Sequence, residues 1–149
     1  MARRAREMQI TGVQELERMT SQIAPRRARN LARSTVHYIA GQVRREMRRR
    51  APRDEGTLRR AIKSVRRRMR GNQAISDVRI EHGSQAKHNA WHWHFIEFGT
   101  LHKSAQPYIR PTVEDMTPRI PAIYRKEFGA RLEKQLAKDA MKQGVRQRG

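Results

Sequence analysis

Between residues 25 and 52 the sequence admits one regular structure. Leu31, Ala32, Val36, Ile39, Ala40, Val43 and Met47 recur at spacings of three and four, tracing a single apolar stripe. Arg26, Arg29, Arg33, Arg44, Arg45 and Arg48 fall on the opposite face. Pro25 suits a first helical turn, where its missing N–H costs nothing. Pro52 sets the far end, because the residue before a proline is pushed out of the helical region. The spacing predicts a helix over 26–50 with one face to bury.

The rest of the chain must supply what covers that face. Its 149 residues suit one domain, and an apolar content of 36% allows only a modest core. No run of eighteen apolar residues occurs, so no transmembrane helix is expected. The start, "MARRAREM", has no apolar segment behind it and does not read as a secretory signal. Without cysteine there are no disulfides, thiolate metal sites or thiol nucleophiles.

Residues 1–8 read as a flexible basic arm and 8–12 as a short strand ending at Gly12. Val13, Leu16, Met19 and Ile23 predict a short amphipathic helix. Asp54, Glu55 and Gly56 make a turn. Residues 61–69 and 74–82 are strand candidates, the second alternating Val78 and Ile80 against Asp77, Arg79 and Glu81. "WHWHFIEF", 91–98, reads as a third strand on its aromatic and β-branched content. Pro111 opens a short helical turn, with Glu114 and Asp115 complementing its dipole. Pro118 and Pro121 predict a kink or restart between 117 and 122. Tyr124, Phe128, Leu132, Leu136 and Ala140 then predict a final helix to 141, with 142–149 a flexible tail. The expected fold is α+β: long N- and C-terminal helices packed on a small antiparallel β-sheet, one domain over 9–141.

The stretch 91–111 holds both tryptophans and three of the six histidines, and so invites a chemical reading. Alternate histidines on a strand share a face, but no HExxH-type spacing supports a metal, and a partly exposed strand or subunit contact explains them as well. Ser84, Thr100 and Ser104 lie near histidines without a G-x-S-x-G elbow or paired carboxylates. Phosphate-loop and dinucleotide fingerprints are missing too. No enzyme, cofactor or metal is expected.

The net charge is +20, which draws polyanions. The candidates for contact with DNA or an acidic partner are Arg44, Arg45, Arg48, Arg49, Arg50, Arg66, Arg67 and Arg68, within the densest basic segment, 44–70. A solvated or partner-facing surface accounts for that segment equally. Trp91 and Trp93 read as core more readily than as platforms for single-stranded bases.

Two segments together resemble a known family. "APRDEGTLRRAI" is similar to a motif of alanine-proline, a short spacer, Thr or Glu, glycine, Xaa, leucine, arginine, then Ser/Ala-Ile. "FIEFGTLHKSAQPYIRPTVE" is similar to Val/Ile-Glu-Phe-Gly-Thr, a short loop, then Gln-Pro-aromatic-Xaa-Arg-Pro-Ala. In this order, between a long helix and a C-terminal helix, they resemble the minor tail component family of long-tailed bacteriophages, over residues 10 to 140. Glu55 stands where threonine is commoner, and Thr112 where alanine is.

The resemblance implies a tail-completion or head–tail joining protein of the phage neck. It would form a ring, most simply a hexamer, around the DNA channel and contact connector, tail terminator or tail tube proteins. It would be assembled in the host cytoplasm and act in the virion, with no membrane partner. The alternative from another class is a cytoplasmic nonspecific nucleic-acid-binding protein. The matching positions Gly56, Leu58, Arg59, Glu97, Phe98, Gly99, Thr100, Pro107, Tyr108, Arg110 and Pro111 would define the fold core and the subunit contact. Physically, Gly99 permits a tight exit, Thr100 bonds local backbone, and Glu97 needs a partner, for which Arg110 is the natural candidate.

Overall fold

The computed structural model describes residues 13–53 and 56–146. The expected arm, the strand at 8–12, Asp54, Glu55 and residues 147–149 lie outside them.

Two helices come first: α1, Val13–Thr20, and α2, Pro25–Arg50, with Pro25 in its first turn as the sequence predicts. A short helix α3, Thr57–Ala61, leads into strand β1, Ile62–Arg66, which pairs antiparallel with β2, Ser76–Ile80. The register sets Ile62 opposite Ile80 and Val65 opposite Asp77. Helices α4, Trp93–Phe98, and α5, Ile109–Met116, follow. A 3-10 turn over Thr117–Arg119 then restarts the chain into α6, Ile120–Arg146. The restart falls where Pro118 and Pro121 remove backbone donors. The fold is α+β, helices on a two-stranded antiparallel sheet.

The α2 stripe serves two cores. Toward its start, Leu31 and Ala32 join α1 and α6 around Ile23, Phe128 and Leu132. Toward its end, Met47 and Ala51 join Leu58, Ala61, Ile62, Ala90 and Tyr108, with Val78, Ile80, Trp93, Ile96 and Ile109 packed against them. One helix thus spans and aligns both clusters.

Two expectations are corrected. Residues 91–98 are not a third strand, because a helix sorts the same residues better. Trp93, Ile96 and Glu97 stand at i, i+3 and i+4 and turn inward, while Trp91, Phe95 and Phe98 turn outward. Strand propensity is a preference of fit, and burial overrides it. The final helix also continues past 141 to Arg146, so part of the expected tail is helical. The strands are shorter than the ranges 61–69 and 74–82: β1 fills the first part of its range and β2 the centre of its own.

Candidate functional site

The corner after α4 is built around one buried carboxylate. Glu97, 5% exposed, accepts the backbone N–H groups of Tyr108 (2.8 Å), Ile109 (2.9 Å) and Arg110 (3.0 Å). These are donors at the start of α5, which a helix leaves unpaired at its N-terminus, where the dipole also favours an anion. Burial acts to raise the Glu97 pKa, but the N–H bonds and the Arg110 charge outweigh it and hold the carboxyl below its ordinary value. The expected Glu97–Arg110 side-chain pair is therefore replaced by a backbone bond. The Arg110 side chain is exposed, and among the described residues no ion pair joins it to Glu97.

The loop between α4 and α5 is fixed at both ends. Gly99 sits at φ +79° and ψ 178°, a region essentially reserved for glycine. A β-carbon there would lie 2.8 Å from the Ala105 nitrogen. Thr100 Oγ1 accepts the N–H groups of Lys103 (3.1 Å) and His102 (3.3 Å), and Gln106 N–H returns to the Ile96 carbonyl at 2.8 Å. Tyr108 is fully buried, and burial followed by the nearby Glu97 charge pushes its phenol well above the ordinary value. Thr112, where the family motif more often has alanine, is also fully buried and donates its hydroxyl to the Tyr108 carbonyl at 2.5 Å. Pro107 is exposed and Pro111 half-buried.

Phe98 does not belong to the core: it is 65% exposed. Trp91 and Phe95 are exposed beside it, their rings edge to face at 6.0 Å, and Leu101 follows in the next loop with its side chain wholly in solvent. Only Trp93 of the two tryptophans packs on the core. Helix α4 therefore has a satisfied inner face and an apolar outer one. Large exposed apolar groups gathered in one place mark interaction surfaces.

The basic residues divide into two groups. Arg45, Arg48, Arg49, Arg59, Arg60, Lys63 and His88 line an open cleft of about 400 Å³. Arg48 donates two hydrogen bonds to the Ile62 carbonyl, at 2.7 and 3.1 Å, and Arg59 donates two to the Ala51 carbonyl, at 2.6 and 2.9 Å. Arg59, expected as a motif residue of the fold, thus staples α3 to the end of α2 and also walls the cleft. Gly56, at φ +71°, begins α3, and Leu58 is buried beneath it. Arg49 pairs with Glu46, whose pKa is held down at about 2 by hydrogen bonds from Arg49 and Arg50.

Outside the cleft, Arg50 turns to Glu46 and Asp115, and Arg67 pairs with Asp77. Arg66 and Arg68 are exposed, and Arg44 is half-buried. Asp115, expected as a dipole partner, instead bridges Arg50 and Arg119, each at 2.7 Å. Among the described residues no three His, Asp or Glu gather as a metal set, and no helix is long and apolar enough to cross a membrane.

Residues 14–99, from α1 to the glycine that ends α4, match the family described as "Bacteriophage HK97-gp10, putative tail-component". The chain belongs to this family. It is a phage tail component, a structural protein of the virion that works among other virion proteins. The matched span of this tail protein includes the α3 motif and the "FIEFG" at the end of α4, and stops before "QPYIRP". No curated protein and no solved structure matches the chain.

Proposed function

We propose that this tail component acts at the phage neck, where it joins the capsid connector to the tail as a ring of identical subunits around the DNA passage. Its role is mechanical rather than catalytic. The observation that carries the reading is the outer face of α4. Phe95 and Phe98, with Trp91 in the turn just before the helix, are exposed, while the same short helix is locked from within by Glu97. A rigid helix with an apolar outer face suits a contact made on assembly. A closed ring needs such a face to meet a different surface of the next copy. Aromatic anchors of this kind concentrate interface energy.

Electron microscopy of phage particles made without this protein tests the reading. Filled heads beside detached tails are expected. Joined, infectious particles would refute it.

A further inference from the structure

We propose that the cleft between the end of α2, α3 and β1 is a nucleic-acid phosphate site, which grips duplex DNA by its backbone without reading sequence. The inference deepens the neck reading by assigning the surface that meets the chromosome.

Three observations carry it. The first is what lines the cleft: cations and one imidazole, with no carboxylate of the described residues and no apolar side chain. A surface for an acidic protein would need an apolar centre, and lysine is depleted from such centres. Interfaces with DNA are polar and strongly positive. The second is how the charges are held. Arg48 and Arg59 are fastened to backbone carbonyls by two hydrogen bonds each, which fixes their guanidinium planes before any ligand arrives. Arg59 also covers carbonyls of the last turn of α2, the Arg49 and Ala51 oxygens. It thereby offsets the negative end of that helix, which would otherwise repel an anion. The third is what remains unused. Among the described residues no hydrogen bond or ion pair engages the side chains of Arg45, Arg60 or Lys63, and Arg45 and Arg60 are exposed.

No Phe, Tyr or Trp lines the cleft to serve as a base-stacking platform, so it gives no preference for single strands. Phosphate contacts position a protein on DNA and carry no sequence information. An isolated subunit should therefore bind weakly, with Kd about 10⁻⁴ to 10⁻⁶ M at physiological salt.

The test is fluorescence anisotropy of the purified full chain with labelled duplexes of unrelated sequence, across a salt series. Three proteins are compared: wild type; the cleft variant Arg45→Gln/Arg60→Gln/Lys63→Gln; and a control of equal net charge, Arg26→Gln/Lys134→Gln/Lys138→Gln, at exposed positions outside the cleft. The proposal expects equal affinity for the different duplexes. It also expects the slope of log K against log salt to shrink by roughly two to three in the cleft variant, and by clearly less in the control. Equal effects in the two variants would overturn it, leaving only diffuse charge. So would binding of poly-glutamate that exceeds that of DNA and is lost in the cleft variant, which would assign the cleft to an acidic protein. Since the readout uses the isolated chain, its failure leaves the head–tail joining experiment untouched, and the reverse holds too.

Discussion

The corner around Glu97 and the cleft around Arg48 solve opposite electrostatic problems with the same material, the backbone. In the corner one carboxylate collects three N–H groups from the start of α5, and all of its charge is used within the fold. In the cleft guanidinium groups cap carbonyls at the end of α2 and the start of β1, yet each keeps donors to spare, and the neighbouring side chains of Arg45, Arg60 and Lys63 have no partner among the described residues. The difference separates charge that builds the fold from charge held in place for something else. The outer face of α4 adds the apolar counterpart: its aromatics contribute little to the monomer.

The comparison breaks most readily at Tyr108. This side chain is buried completely at the junction of α5 with the second core, so Tyr108→Ala should cost about 3–5 kcal/mol in denaturant melts. Tyr108→Phe should cost less than about 1 kcal/mol, because volume is conserved. An alanine variant of near wild-type stability would remove the corner from the architecture.

Glu97→Gln comes next. One carboxamide oxygen cannot replace a carboxylate that serves three donors, and the expected loss is about 2–4 kcal/mol near neutral pH. The folded-state pKa lies below the ordinary value, so the stabilisation is fully present above the unfolded pKa and is lost as pH falls through the folded one. Thermal melts from about pH 7 down to about pH 3 should therefore show the gap between wild type and variant narrowing with acid. A gap independent of pH would mean that the ionised carboxylate is not what matters.

Gly99→Ala should lose about 2–3 kcal/mol, since a β-carbon meets both a glycine-only conformation and the Ala105 backbone. At the small end, the cleft variant Arg45→Gln/Arg60→Gln/Lys63→Gln should change stability by no more than about 0.5 kcal/mol, as surface changes without partners do. A large loss there would make the cleft part of the fold and erase the contrast with the corner.

Much of the fold was legible because it rests on period and punctuation. The α2 stripe and its two prolines set that helix almost to the residue, and Pro118 and Pro121 placed the restart before α6. The stretch 91–98 misleads because its aromatic content favours a strand while its spacing favours a helix. The signal was present: Trp93, Ile96 and Glu97 at helical intervals, with Gly99 to stop the turn. Glu97 in an apolar stretch needs a partner, but its partners are N–H groups, and these carry no side-chain signature in a sequence. The basic segment was visible, yet not how it divides. Arg50 and Arg67 find acids, while Arg60, Lys63 and His88 gather with Arg45, Arg48 and Arg49 only once α3 folds back on the end of α2.

The central claim is that the outer face of α4 belongs to the particle and not to the monomer. It is tested most directly by supplying Trp91→Ser/Phe98→Ser protein to phage that lack their own copy, then counting joined particles by electron microscopy. The variant should melt within about 0.5 kcal/mol of wild type and leave heads and tails apart. A variant that folds equally well and restores joined, infectious particles would contradict the account.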